Sequence, residues 1–473
     1  MRRVPLRPGQ SVDREERCQF LVVGSGPGGS TSAYMLAEAG HDVLLVEEGA
    51  NHTNDSAPSY SLDEMDQKYR NGGLTTTFGK TNVTYIEGRC VGGASEINAA
   101  LYHRPLPSTL QDWQSRYRIA DFDYDQLVPF FEETEKELCV SRHPAGVGPT
   151  SLKLREGAHR LGWKTAEIAR FWKYEELGDG TWKGSRQSMS KTFIPRALGA
   201  GCRLLAQTRV HSLEIEGQRA VSALARTMVE GRSQSIRIHF DEVFVCGGAV
   251  QTPLLLRRSG LRRNIGDSLR LHPMVRFAAR FPEPFNDPTW GVPVEQIEQF
   301  KPRLTLGCSH SSLPHLALWL GEEANRREAL VDWKNMAVFY VAAVGAGRGK
   351  VRNLPLLREP FVTCSLPPED LALVGEGLYR LGQAVLAAGA EEIHNPINGG
   401  PPLRTDDDLR FLRDGVAHGN INVTTIHLFS SCPMGQDREI CAVDSYGKLY
   451  GYSNIHLNDA SILPLSPGVN PQG

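Results

Sequence analysis

The sequence predicts an α/β protein of two interleaved parts. One part is wound around a parallel sheet; the other is a mixed α+β unit built on an antiparallel sheet. Three observations carry this expectation. An apolar run, a glycine-rich turn, a stretch of small residues and a second apolar run follow one another between Phe20 and Glu47, the order of a βαβ unit. A third apolar run, Phe244–Val245, enters another glycine turn far downstream. Alternating apolar and polar positions recur over residues 203–245, the period of half-buried strands, and residues 275–365 hold several more β-like stretches.

The bulk composition bounds the answer. A chain of 473 residues suits two or three domains. With 40% hydrophobic and 22% charged residues it has the make-up of a folded chain, not a disordered one. A formal net charge of −2 offers no basic surplus for nucleic acid or an anionic membrane. No run approaches the ~18 apolar residues of a membrane span, and residues 1–18 carry five arginines but no apolar leader. The expected compartment is the cytoplasm. Nine cysteines are scattered and never spaced Cys-x-x-Cys, so neither a disulfide framework nor a metal site is expected.

Read in order, residues 1–17 form a polar arm and Phe20–Val23 a buried strand. Ser30–Ala39 is a helix ended by Gly40, and Asp42–Glu47 a second buried strand. Residues 51–87 are polar and turn-rich. Tyr124, Leu127, Phe130, Phe131 and Leu138 give residues 121–138 helical spacing. Residues 203–245 read as antiparallel strands. The strand ending at Val245 leads to a helix from Thr252 to Ser259, stopped by Gly260. Leu316–Trp319 and Ala337–Ala343 are β-like, and residues 368–388 are helical. The expected division is 1–115, 195–272 and 440–473 for the nucleotide-type part, and 116–194 with 273–439 for the other.

Five glycine- or polar-rich blocks carry the chemistry. The first, Gly24-Ser25-Gly26-Pro27-Gly28-Gly29, has glycine at all three places of G-x-G-x-x-G. Gly24 allows the tight turn, Gly26 lets backbone approach a pyrophosphate, and Gly29 lets helix and strand pack closely, with Gly28 between them. The helix start offers free N–H groups to phosphate. Glu47 ends the next strand, where a carboxylate can accept from a ribose. This is a Rossmann-like dinucleotide signature that does not choose between FAD and NAD. The second block runs from Gly88 through Gly92-Gly93 to Asn98. The third is Cys246–Gly260, the fourth His427–Gly435, and the fifth Asn458–Pro464 running on to Gly468-Val469-Asn470-Pro471.

These blocks, in this order, resemble the glucose–methanol–choline oxidoreductases. Asp112-Trp113, Phe122–Phe131 with Glu135, and Leu269-Arg270-Leu271-His272-Pro273 are similar to further elements of that family. The resemblance implies FAD held by Gly24, Gly26, Gly28, Gly29 and Glu47. It puts Gly92, Gly93 and Asn98 beside the flavin, and Asp459 and Ala460 at the pyrophosphate. Val210 stands where a backbone meets the adenine, although a strand-core residue would look the same. Some members tether FAD through a histidine where this chain has Ile97, which implies non-covalent FAD. A helix usually follows the Asn-Pro element, and the sequence ends at Gly473 without it.

The resemblance also implies a catalytic pair, His427 and Asn470. Oxidising an alcohol removes a proton from oxygen and a hydride from carbon. No side chain accepts hydride, so flavin must; an imidazole takes the proton near working pH, and the amide holds the oxygen. His272 stands near a family element but is read as structural. The expected partners are a small alcohol, polar and sugar-like or else bulky and hydrophobic, and oxygen or an external carrier as electron acceptor. A lyase of the same fold that keeps FAD structurally is the alternative.

Overall fold

A computed structural model describes residues 11–52, 56–320, 330–355 and 357–471. Its nucleotide-type core is a five-stranded sheet, all parallel, in the order Arg203–Leu205, Val43–Val46, Phe20–Val23, Glu242–Val245, Ile455–Leu457. Val43–Val46 is buried at every residue, as a strand covered on both faces must be. Segments from the start, middle and end of the chain thus lie side by side. Their carboxyl ends deliver Gly24, Gly247 and Asn458 to one edge, where open α/β sheets hold ligands.

A four-stranded sheet flanks this core: Arg14–Arg17, Arg232–His239, Arg219–Val229 and Thr208–Glu216. Residues 14–17, expected within a polar arm, instead pair in parallel with residues 236–239. The sequence Arg-Glu-Glu-Arg hid this strand because a charged edge strand has no apolar alternation to read. Residues 1–10 of the expected arm lie outside the described residues.

The second part is a nine-stranded, mainly antiparallel sheet. Its path runs Thr75–Thr76, Val83–Tyr85, Val423–Thr425, Met274–Arg280, Met336–Ala343, Leu304–Ser309, Glu295–Ile297, Thr165–Glu167, with Glu392–Ile393 pairing at the side. Alternation gives its two faces different cover. Val275, Phe277, Phe339 and Val341 face the helix Pro368–Ala387 in the largest apolar cluster. Helix and sheet approach closely enough that a Cβ at Gly377 would lie 2.5 Å from Val341 Cγ1. On the opposite face, Ala278 and Val338 pack under Leu316 and Leu320, while Met274, Tyr340 and Ala342 pack against Ile426. The site lies along that second face.

Two local expectations are corrected. Leu316–Trp319 is not β-like but part of the helix Leu313–Trp319; Leu316 and Leu320 face the sheet while Leu318 is exposed, which is helical spacing that a four-residue apolar run could not reveal. The helix expected from Thr252 begins at Gly248. Its start is set by Asp459, far away in sequence, whose carboxylate accepts from Gly248 N at 2.8 Å and Thr252 Oγ1 at 2.5 Å.

Candidate active site

His427 and His272 are brought together by strand pairing. The short ladder Arg270–Leu271 with Leu428–Phe429 is antiparallel, with Leu271 opposite Leu428. The next pair outward is therefore His272 with His427, and His272 N donates to His427 O at 3.4 Å. Thr425 Oγ1 accepts from His427 N at 3.1 Å and holds the turn. The two rings stand edge to face at 89°, and their Nδ1 atoms are 3.0 Å apart.

The hydrogen-bond pattern assigns the protons. Gln296 Nε2 donates to Asn470 Oδ1 at 3.2 Å, so the Asn470 amide turns its Nδ2 toward His427 Nε2, 3.5 Å away. That leaves Nε2 the bare, accepting nitrogen and puts the His427 proton on Nδ1, donating to His272. His272 then carries its own proton on Nε2, 2.5 Å from Ser466 Oγ. Every bond in the chain Gln296–Asn470–His427–His272–Ser466 gains one donor. At 3.5 Å the Asn470–His427 contact satisfies neither group fully, and both stay available to a third polar atom.

His427 is 2% exposed and Asn470 4%. Burial, followed by the neighbouring His272, Arg276 and His103, pushes the His427 pKa well below the ordinary histidine value. Burial alone takes His272 to about 3, and His103 likewise falls to about 3, first through burial and then through Lys301. His427 is thus neutral, the state a proton acceptor needs.

The predicted cofactor residues converge on the edge of the parallel sheet. Gly24 has φ +101°, and a Cβ there would lie 2.4 Å from Cys246 O. Gly28 and Gly29 face equally close carbonyls: their Cβ atoms would be 1.8 Å from Asn458 O and 1.9 Å from Gly24 O. Gly26 differs, since a Cβ there meets nothing within 4 Å. It is the N-cap of helix Pro27–Glu38 with no side-chain cap, so free N–H groups open onto vacant space, a cradle that suits a pyrophosphate. Gly93 borders it, its Cβ position 2.8 Å from Gly26 Cα. Gly92 N donates to Ser25 Oγ at 3.0 Å, linking the second block to the first.

Glu47 accepts from Ser25 N at 3.0 Å, Ser25 Oγ at 2.8 Å and Gly49 N at 2.8 Å. A carboxylate has about four lone-pair sites, so one acceptor position remains. Burial raises its pKa. Val210 is close by, because Thr208 N donates to Glu47 O at 2.8 Å; its side chain is buried in the sheet core. Asn98 Oδ1 accepts from Ala100 N at 2.9 Å and shapes its loop. Ala460 O accepts from Ser430 N at 3.2 Å, joining the fifth block to the fourth. Ile97 is half-buried, directly after the turn Gly93–Glu96. These residues could hold a dinucleotide.

Sequence reasoning passed over His272 as a structural residue and missed Arg276, Gln296 and Tyr340. The signal was a polar residue inside an otherwise buried strand, as Arg276 is in Met274–Arg280 and Tyr340 in Met336–Ala343. Gln296 Nε2 also donates to Tyr340 Oη at 2.9 Å. Among the described residues no helix is long and apolar enough to cross a membrane.

Comparison with known proteins gives a consistent result. Residues 65–274 and 362–473 match family models described as GMC oxidoreductase, and residues 22–78 one described as an NAD(P)-binding Rossmann-like domain. An uncharacterised GMC-type oxidoreductase of Sinorhizobium fredii is 37% identical over 99% of this chain and 94% of its own. A long-chain-alcohol oxidase of Arabidopsis thaliana is 27% identical over 96% of this chain and 66% of its own. In fold, the chain resembles a pyridoxine 4-oxidase from Mesorbium loti, with TM-score 0.73, 20% identity and 96% of each chain covered.

Proposed function

This chain belongs to the glucose–methanol–choline (GMC) family of FAD-dependent oxidoreductases, and from that premise we propose that it oxidises a polar small-molecule alcohol with His427 as the base. Oxidation of a CH–OH group with FAD is the activity of the family. The observation that carries the finer reading is the bare, neutral Nε2 of His427 facing the Asn470 amide.

The residues divide the work. The substrate hydroxyl lies between His427 Nε2, which receives its proton, and Asn470 Nδ2, which donates to its oxygen and fixes the carbinol carbon. FAD, when bound, supplies the two-electron acceptor for the hydride that leaves that carbon. His272 holds the His427 ring in its tautomer and stabilises the imidazolium through Nδ1. Gln296 and Tyr340 keep the Asn470 amide in place. The residues that would hold the cofactor are Gly24, Gly26, Gly28, Gly29 and Glu47, together with Gly92, Gly93, Asn98, Val210, Asp459 and Ala460. Turnover requires an external acceptor, oxygen or a carrier. The segments 1–115, 195–272 and 440–473 bind FAD, and 116–194 with 273–439 bind substrate; the short strands at 75–76 and 83–85 cross from the first into the sheet of the second.

A polar substrate is supported by Arg276, Gln296 and Tyr340 on the sheet face beside His427. The likeness to a long-chain-alcohol oxidase favours a hydrophobic alcohol as the second reading. The test is anaerobic absorbance of the yellow protein against polar, hydroxy-acid, aryl and long-chain alcohols. Bleaching by a polar class is the expected result. Bound FAD that no alcohol bleaches would count against oxidation of these classes and leave the lyase or a catalytically silent flavin protein standing.

FAD is proposed to be non-covalent because Ile97 cannot bond to a flavin. Acid denaturation followed by filtration is expected to release all the yellow colour into solution. Colour kept by the washed polypeptide would overturn this.

A further inference from the structure

Among the described residues, Arg276 has no counter-charge. It lies in the middle of the strand Met274–Arg280, directly opposite Tyr340 on the neighbouring strand, whose hydroxyl is hydrogen-bonded to Asn470. Its Nη1 donates to Thr424 Oγ1 at 2.6 Å, three residues before His427. Its guanidinium sits 5.1 Å over the Trp319 ring. Among the described residues no carboxylate pairs with it. Arg70, which is more deeply buried, meets Glu48, Glu87 and Glu359. The groups around Arg276 are Thr424, Trp319, Tyr340, His315 and His427, none of them acidic.

Arg276 is half-buried, and a guanidinium that lacks a carboxylate partner yet keeps part of its surface open can pair with an anion that arrives. With Nη1 held by Thr424, the Nε–Nη2 edge meets no acceptor among the described residues. That edge presents two parallel N–H groups, the geometry of a planar carboxylate. A carboxylate matches that two-donor edge, whereas a phosphate brings more acceptor oxygens than the edge has donors.

We propose that the substrate is a hydroxy acid whose carboxylate pairs with Arg276 while its hydroxyl lies between His427 and Asn470. This rests on the reading of His427 and Asn470 as the reacting pair, and deepens it by naming the substrate class. Trp319 lies over the guanidinium, and the side chains around it are neutral.

The test reads ligand binding without turnover. Oxidised holoenzyme is titrated with butyrate, its neutral isostere butyramide, and ethyl phosphate, following the flavin absorbance. Butyrate is expected to bind about 10- to 100-fold more tightly than butyramide, the worth of a charge-assisted hydrogen-bonded pair. In Arg276→Gln the ratio should fall to about one, and in Arg276→Lys it should be partly kept. A ratio near one in the wild type overturns the proposal, as does an unchanged ratio in Arg276→Gln or tightest binding of ethyl phosphate. If Arg276→Gln fails to fold, the wild-type ratio and Arg276→Lys still decide. An alcohol panel that bleaches nothing while butyrate preference holds would refute the oxidation and spare the anion site. Bleaching by neutral alcohols alone, without butyrate preference, would do the reverse.

Discussion

His427→Ala is expected to slow anaerobic flavin reduction about 10²–10⁴-fold, the span of a positioned general base, while the protein stays yellow. The hydrogen bonds of His427 go to Thr425, His272 and Asn470 and not to the glycine blocks, so its loss should leave the dinucleotide contacts standing. Its removal also leaves His272 Nδ1 without the proton it accepts, a stability cost of about 1–3 kcal/mol. The pH profile separates catalysis from damage. Burial and the nearby His272, Arg276 and His103 lower the His427 pKa, so the acceptor form persists as pH falls through the ordinary histidine range near 6.5. Wild-type reduction should therefore be flat above about pH 6.5 and decline only in more acid solution, where Nε2 gains a proton. His427→Ala should lose that acid limb as well as the rate. An unchanged rate, or a variant with the same acid limb, would remove His427 from the mechanism.

How much of this was legible beforehand depends on the range of the interaction. The βαβ unit was readable because its signals are local: apolar runs, a glycine turn and Glu47 within one short stretch. The same holds for the strand Met336–Ala343 and the helix Pro368–Ala387. What failed was set by distant partners. Arg14–Arg17 is a strand only because residues 236–239 offer it a ladder, and the helix at Gly248 starts early because Asp459 caps it. Within the site, His427 and Asn470 could be named from their place among the blocks, but their orientation could not. That depends on Gln296 and Tyr340, which arrive on two separate strands, and on His272, which follows the strand Arg270–Leu271. Arg276 was invisible as a functional residue because a single arginine in a strand reads as a surface position until the sheet is assembled around it.

The two glycines Gly26 and Gly28 should respond in opposite ways, and the contrast tests the cofactor site without any substrate. Gly28 is enclosed: a Cβ there would be 1.8 Å from the Asn458 carbonyl oxygen, so Gly28→Ala must push the C-terminal block away from the first helix. Lower thermal stability is expected, with FAD lost as a consequence. Gly26 is open and in extended backbone, φ −65° and ψ −175°, a conformation that any residue adopts. Gly26→Val should therefore fold with little change in the stability of the flavin-free protein. Its branched side chain would fill the space over the helix N-terminus where the pyrophosphate must come close to the N–H groups. FAD affinity should fall about 100-fold or more, an overlap worth roughly 3 kcal/mol, and the protein should purify colourless. Equilibrium dialysis with FAD, beside circular dichroism of the flavin-free forms, measures both quantities. Undiminished FAD binding by Gly26→Val would move the pyrophosphate elsewhere, and with it the assignment of the first glycine block.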